Sequence, residues 1–265
     1  MPRASTTSIT ASSETLQWLS IPKGATEYRC TVASGIRTVL GLRIEGASDA
    51  LQLTFDVGAE STVFLLVIVE GSKKSLTLRQ DSYLQDGARV HFCNIAQGDK
   101  IDWSLVSHIE GGDAVSTIDW AFCARGKETQ KISARNIFAG RNGGGEITMK
   151  GVAEGKAHVT CHGMIEIAEG GTGTDTYLTE DVLMLDAIAK IDAVPGLEIR
   201  TNDVKASHSA TVSRVTVEDL FYFQSRGIDP ETARQMYVDG FLGSIVDRIE
   251  SDEVKAVVRA SLIHG

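Results

Sequence analysis

The chain alternates apolar and polar residues in short runs from about residue 27 to residue 215. Leu51, Leu53 and Phe55 alternate with polar residues, and the same period of two returns over residues 157–162. A period of two is typical of β-strands that bury one face. The pattern therefore predicts a mainly β region over residues 27–215.

Glycines divide this region at regular places. The pattern Gly-x-x-Val or Gly-x-x-Ile occurs at Gly87, Gly98, Gly112 and Gly144, and the first three glycines are 11 and 14 residues apart. Such spacing is typical of a strand and a turn repeated along a stack, although a barrel or a sandwich gives a similar pattern. The dipeptides Asn-Gly and Asp-Gly, which favour tight hairpins, are scarce. We therefore predict a parallel β-helix.

The two ends of the chain differ from this region. Residues 1–26 are polar and rich in Ser and Thr, and we expect a flexible lead-in there. Residues 216–265 read as a small helical unit, because Thr216 with Asp219 resembles a capping box and residues 229–230 supply an N-cap and a first-turn proline. The predicted domains are thus a lead-in, a β-helix core over residues 27–215 and a C-terminal helical unit.

Composition narrows the class of protein. The 265 residues include 26 basic and 35 acidic side chains, which gives a formal net charge of −9. This balance argues against a nucleic acid or an anionic membrane surface as the main partner. No apolar run approaches the roughly 18 residues of a membrane span, and the polar start lacks the apolar core of a signal peptide. We expect a cytoplasmic protein.

The four cysteines are candidate ligands for a soft metal ion. Cys30, Cys93, Cys123 and Cys161 lie far apart, and no C-x-x-C pair occurs. This excludes a zinc ribbon and a thioredoxin-type motif. The cysteines are therefore either core thiols or members of a site assembled from distant parts of the chain.

Two groups of these residues could bind a metal or a cluster. His91 and Cys93 are two residues apart and share a strand face, so they are candidate soft-metal ligands that Cys123 could join from another coil. The alternative is that they are unrelated surface residues. Cys161 alternates with polar residues, which favours a core thiol, and it stays a candidate ligand.

Two segments near the C-terminus carry a resemblance to a known family. DVKASHSATV at residues 203–212, followed by LFYFQSRGI at residues 220–228, resembles the SufB/SufD family, the β-helical components of the SUF iron–sulfur cluster assembly machinery. The stretch GKAHVTCHGMIEIAEGG before them is also similar. At the first segment the sequence resembles SufD more than SufB.

The resemblance implies a right-handed parallel β-helix followed by a C-terminal helical unit. It implies a scaffold that is not itself an enzyme, that holds a transient iron–sulfur cluster and that binds no nucleotide. Relatives pair as two β-helices, so the partner is a second copy or a SufB-like chain. A separate SufC-like ABC-type ATPase is expected to bind the helical unit, and neither nucleic acid nor membrane is expected as a partner.

The resemblance also assigns residues. His208 matches the family's histidine at the dimer interface, although its neighbours read Lys-Ala-Ser-His-Ser, where SufD relatives often have a cysteine before the Ser-His. The aromatic residues of the helical unit are either attachments to the β-helix end or, with one arginine, the ATPase-docking surface. These docking candidates are Phe221, Tyr222, Phe223, Arg226, Tyr237 and Phe241.

Two other functions stay open at this point. The chain could be a structural SufD-like subunit that binds the ATPase but no cluster. It could also be a β-helical carbohydrate-active enzyme. The acidic run over residues 175–186 would then supply a carboxylate pair, and it otherwise forms a solvated face. Such enzymes are usually secreted and rich in surface aromatics, and neither trait is evident in this sequence.

Overall fold

The strands of this protein stack in parallel from one end of the molecule to the other. The computed structural model describes residues 4–45 and 49–263, apart from the side chains of residues 71–74 and 263. The strands are β1 (Ala4–Ile9), β2 (Ser13–Trp18), β3 (Glu27–Val32), β4 (Arg37–Glu45), β5 (Ala50–Val57), β6 (Thr62–Leu84), β7 (Arg89–Ile109), β8 (Val115–Ala124), β9 (Thr129–Phe138), β10 (Gly144–Ala153), β11 (His158–Ile167), β12 (Asp175–Met184), β13 (Lys190–Ala193), β14 (Gly196–Ile199) and β15 (Lys205–Arg214).

These strands form two ladders. The first ladder runs through β1, β3, β5, β6, β7, β9 and β11 to β13 and β14, and the second runs through β2, β4, β6, β7, β8, β10 and β12 to β15. Strands β6 and β7 are 23 and 21 residues long and belong to both ladders. All pairings among the described strands are parallel. The predicted mainly β solenoid is therefore confirmed.

The space between the ladders is filled by apolar side chains. Leu51, Leu53 and Phe55 are buried there, as their period of two predicts. The largest buried side chains include Trp103 and Trp120, whose rings meet edge to face with centroids 4.6 Å apart. Each fully buried aliphatic or aromatic side chain of this kind stabilises the fold by about 1.5–3 kcal/mol.

Two of the predicted glycine positions show why the turns need glycine. Gly87 precedes β7 with φ +63°, a left-handed conformation that side chains other than glycine rarely adopt. In the turn before β8, a Cβ on Gly111, the neighbour of Gly112, would lie 2.1 Å from the backbone N of Asp86. The turns of successive coils therefore stack too closely for a larger residue.

The helical unit has the caps that the sequence predicts. Its helices are α1 (Val217–Gln224), α2 (Pro230–Asp247) and α3 (Asp252–Ile263). Thr216 accepts a hydrogen bond from the N–H of Asp219, whose carboxylate accepts the N–H of Thr216 at 2.9 Å. Asp229 accepts the N–H groups of the two residues that follow Pro230. No described helix is long and apolar enough to cross a bilayer.

The helices pack on the side of the β-helix rather than on its end. A second buried cluster joins the outer face of the second ladder to α2 and α3. The strand residues in it include Leu66, Ile95 and Val152, and the helix residues include Leu242 and Ile245. One alternative from the sequence was that the aromatic residues attach the helices to the end of the β-helix. That alternative is wrong, because the strands of the second ladder offer a second apolar face along their length and the helices pack there.

The N-terminal segment contributes two strands. Residues 1–26 were predicted to form a flexible lead-in, but β1 pairs with β3 and β2 pairs with β4 inside this range. Its Ser and Thr residues suit an outer strand whose two faces both contact solvent. Such a strand has no apolar row and so gives no hydrophobic pattern in the sequence. The first coil of the β-helix therefore starts earlier than the sequence pattern indicates.

Candidate functional site

The last coil of the second ladder ends in a free strand edge. Strand β15 pairs with β12 on one side, and no described strand pairs with its other side. Residues 206, 208, 210 and 212 of β15 align with Thr176, Leu178, Glu180 and Val182 of β12, all four buried and facing inward. Because paired residues in register share a face, these β15 residues continue the inner row of the β-helix. Ala206 is half-buried against the core, whereas residues 208, 210 and 212 are exposed.

His208 lies in the middle of this open end. It is exposed, and its imidazole has no hydrogen-bond or ion-pair partner within the described ranges. Histidine is the commonest metal ligand among protein side chains, and an imidazole without protein partners is available for that role. The neighbouring Val212 is 48% exposed, which is unusual for a residue on an inner row. The site thus combines an uncovered apolar row with one free histidine.

The sulfur atoms of the predicted ligands lie elsewhere. Cys161 of β11 is fully buried between the ladders, and its Sγ is 3.8 Å from Sδ of Met149. Burial, and to a smaller extent the carboxylate of Glu180, raises the pKa of the Cys161 thiol well above its usual value. The structure therefore does not bring Cys161 and the exposed His208 to one surface.

The other predicted ligands lie on the outer face of the second ladder. Cys93 and Cys123 are buried beneath the helical unit, and burial raises the pKa of both thiols, that of Cys123 to about 11. Cys93 pairs with Asp119, whereas Cys123 pairs with Gln97. That offset of four residues separates the two cysteines by about 13 Å along the strands. They cannot bind one ion together.

His91 takes part in a charged network that the sequence did not indicate. Its Nε2 lies 2.7 Å from Oδ2 of Asp119, a fully buried carboxylate. The other oxygen of Asp119 lies 2.8 Å from Nε of Arg248, and Arg248 also pairs with Glu146. The network anchors the end of α2 to strands β7, β8 and β10. No sequence pattern marked it, because Asp119 and Arg248 are far apart in the chain.

Glu180 is a second buried carboxylate, and its burial contradicts the solvated-face interpretation of the acidic run. The acidic run was interpreted as a solvated face, yet Glu180 is fully buried and Oε1 accepts the N–H of Gly163. Its Oε2 is buried with no partner in the described part of the chain. Loss of hydration raises the pKa of Glu180 to about 7. Its alternation with Leu178 and Val182, both buried, was the available sign.

The predicted docking residues divide into two groups. Phe221 and Tyr222 of α1 are 66% and 55% exposed, and the guanidinium of Arg226 lies 4.6 Å from the ring centre of Tyr222. The ring of Phe223, by contrast, is half-buried. It contacts Tyr237, and Phe241 packs against the cluster that joins the helices to the strands. The first group forms a free surface, and the second holds the helical unit together.

Within residues 4–45 and 49–263, no three His, Cys, Asp or Glu side chains converge on a point where they could hold a metal ion. Any site that this chain builds from those residue types alone would therefore have to be completed by another molecule. The candidate site is consequently the open end at β15, with His208 as its one free ligand.

Comparison with known proteins places the chain in a family. The family model described as "SUF system FeS cluster assembly, SufBD core domain" matches residues 30–241. SufD of Escherichia coli (strain K12) is 34% identical over 113 residues, or 43% of this chain and 27% of the relative. SufD of Bacillus subtilis (strain 168) is 28% identical over 217 residues, or 75% of this chain and 50% of the relative.

A SufBD family protein of Mycobacterium bovis is 39% identical over 109 residues, or 41% of this chain and 28% of the relative. The chain thus spans between about a quarter and a half of the length of these three relatives. The match over residues 30–241 covers most of the β-helix together with α1 and much of α2. The chain belongs to the SufBD family, whose members are components of iron–sulfur cluster assembly.

Proposed function

We propose that this chain is a scaffold subunit of an iron–sulfur cluster assembly complex and that it works with a separate SufC-like ABC-type ATPase. The observation that carries the proposal is the open end of the β-helix, where the uncovered inner row of β15 presents His208. Family membership supports the same function. The nucleotide chemistry belongs to the ATPase in this proposal.

The open end provides a surface for a second β-helix. A free strand edge presents unpaired N–H and C=O groups that another chain can pair with. The exposed apolar side chains at or near this end include Val194, Ile199 and Val212. A second copy or a SufB-like chain would cover them, and the inner rows of the two molecules would meet at His208.

The cluster, in this proposal, is a cargo held where the two β-helices meet. His208 would supply one ligand from this chain, because its imidazole is exposed and free of described partners. The four thiols of this chain are buried to between 97% and 100%. Iron–sulfur clusters are mostly held by thiolates, so the remaining ligands would come from the partner chain.

The helical unit provides the docking surface for the ATPase. Phe221, Tyr222 and Arg226 form an exposed aromatic and cationic patch on and just after α1. Aromatic and arginine side chains are enriched at the centre of protein interfaces. Helix α1 has no buried residue, so the patch is free for a partner.

The docking part is tested by co-purification with the SufC-like ATPase of the same organism. We expect a complex with the natural chain and at least a tenfold weaker one with the double variant Phe221→Ala and Tyr222→Ala. The control is Trp18→Ala, which removes an exposed aromatic 44% accessible at the other end of the molecule. If the natural chain binds no ATPase at micromolar concentration, this part of the proposal fails.

The cluster part is tested by anaerobic reconstitution of the chain with its β-helical partner. His208→Ala is expected to lower the cluster absorption and to leave the dimer mass unchanged. The second candidate function, a structural subunit that holds no cluster, is favoured by the burial of all four thiols. Unchanged cluster absorption in His208→Ala would support that structural function and contradict the ligand assignment.

A further inference from the structure

We propose that Cys161, Met149 and Glu180 form a binding site for a soft monovalent metal ion, of which Cu(I) is the biological example. The site lies inside the β-helix, one coil below its open end. It rests on the geometry of the interior and does not depend on the proposed function at His208.

The two sulfur atoms already have the separation that a common ion requires. Sγ of Cys161 and Sδ of Met149 are 3.8 Å apart. Two sulfur ligands that each lie about 2.3 Å from an ion, at a tetrahedral angle, are about 3.8 Å from each other. Both residues are fully buried on neighbouring inner faces. In the structure the Cys161 thiol donates a hydrogen bond to this thioether, and the ion would take the place of the thiol proton.

Glu180 supplies the third donor. It pairs in register with Met149, so the two side chains are neighbours on the inner face. Its Oε1 accepts the N–H of Gly163, two residues beyond Cys161, which holds the carboxyl group against the strand that carries the thiol. Its Oε2 is buried and has no partner in the described ranges. A buried oxygen without a partner is rare and costly, and coordination of an ion would satisfy it.

The donor set selects a soft ion. Thiolate and thioether sulfur together favour Cu(I), whereas Mg²⁺, Ca²⁺ and Mn²⁺ prefer oxygen ligands. A monovalent ion bound to the Cys161 thiolate makes a neutral pair while the Glu180 carboxyl group is protonated, and a neutral pair is cheaper to bury than a net charge. Binding releases the thiol proton to solvent, so the step balances as thiol plus M⁺ giving metal thiolate plus H⁺.

The ion has a short route to this site. The residue that stacks above Glu180 in the last coil is Ala210, which is exposed and carries only a methyl group. Glu180 therefore lies directly beneath the last coil, at the position where that coil carries its smallest kind of side chain. The thiol of Cys30 is buried in the same core, but it lies in the early coils on β3, far from the open end.

The test measures Cu(I) binding by the purified full chain under anaerobic conditions, in competition with a chromophoric Cu(I) chelator. We expect one equivalent to bind. Cys161→Ala should abolish this binding, and Met149→Leu, which keeps the volume but removes the thioether, should weaken it at least tenfold. Cys30→Ala is the matched control, because it removes a buried thiol from the same core, and it should bind like the natural chain.

A second measurement covers the case in which a variant does not fold. X-ray absorption of the natural chain loaded with one equivalent of Cu(I) should show two sulfur neighbours at about 2.3 Å. Binding that is unchanged in both Cys161→Ala and Met149→Leu overturns the proposal. A coordination shell of nitrogen and oxygen alone does so as well, and so does the failure of the natural chain to compete with the chelator.

Discussion

The interior of the β-helix and the contact between its side and the helical unit are two buried regions built by different rules. The interior joins residues that neighbouring coils bring into register, and Glu180 is the one fully buried carboxylate among the interior residues that the structure describes. The side contact joins strands to helices that lie at least fifty residues later in the chain, with Val238 following Leu185 at the shorter end, and Asp119 and Arg248 form an ion pair within it. The first region follows from local alternation, whereas the second depends on long-range docking.

The difference is visible in the strands themselves. Over residues 65–69 of β6 every side chain is buried, and residues 92–96 of β7 repeat this pattern. Strands buried on both faces read as continuous apolar runs rather than as alternating ones. A break in the alternation therefore indicates where the helical unit packs on the second ladder.

The largest effect is expected in the interior. Trp103→Ala should lower the free energy of unfolding by about 3–5 kcal/mol, because it leaves a large cavity in a closely packed core. Urea unfolding followed by circular dichroism measures it. The control is Trp18→Ala, whose ring is 44% exposed and should cost less than about 1 kcal/mol. Equal losses in the two variants would contradict the described interior.

The ion pair of the side contact should come next. Asp119→Ala leaves Arg248 without its buried partner, and such a change typically costs about 3 kcal/mol. The double variant Asp119→Ala and Arg248→Met should recover part of the loss, since the one charge that then loses its partner, that of Glu146, is 41% exposed and can be hydrated. Limited proteolysis should release the helical unit from the single variant first. Additive losses would show that the two groups are not coupled.

A pH effect of smaller size is expected from Glu180. Its pKa is raised to about 7 in the folded protein, above its unfolded value of 4.5. Its stabilising contribution is therefore complete below pH 4.5 and is lost as the pH rises towards 7. Glu180→Gln should remove this dependence, a difference on the order of 2 kcal/mol. Unfolding of the metal-free chain and the variant, compared between pH 5 and pH 8, measures it.

The smallest effect is expected on the outer face of the first ladder. Arg29 and Asp56 form an ion pair at 2.5 Å, but their side chains are 55% and 30% exposed. Exposed ion pairs of this kind contribute about 0.2–1 kcal/mol. Asp56→Asn should therefore change the unfolding free energy by less than about 1 kcal/mol, and less at high salt. A loss as large as that of Asp119→Ala would contradict the expected difference between this exposed ion pair and the buried one of the side contact.

The sequence was sufficient to predict those features that depend on residues close together in the chain. The period of two at Leu51–Phe55 predicted an inner row, and the caps at Thr216 and Asp229 predicted helix starts, because each depends on residues a few positions apart. The first coil was missed because β1 and β2 lack an apolar row and are held by pairing with distant strands.

The candidate site was predictable only in part. The position of His208 came from the resemblance, and its exposure follows from the end of the stack, which no local pattern marks. His91, Cys93 and Cys123 share a face, as predicted. They do not share a site, because the register of β7 and β8 sets the two cysteines apart and the helices cover them. Both the register and the helix packing depend on the whole chain.

The free edge at β15 has a counterpart at the other end, where β2 is also an outermost strand. There the N–H of Leu16 donates to the carboxylate of Glu253 in α3, so the helical unit already occupies part of that edge. Stacking of one copy's last coil on the next copy's first coil would build an open filament. Pairing of two last coils uses the same surface on both molecules and stops at two. The bond to Glu253 takes the N–H of Leu16 away from strand pairing, so α3 disfavours the filament contact at that position.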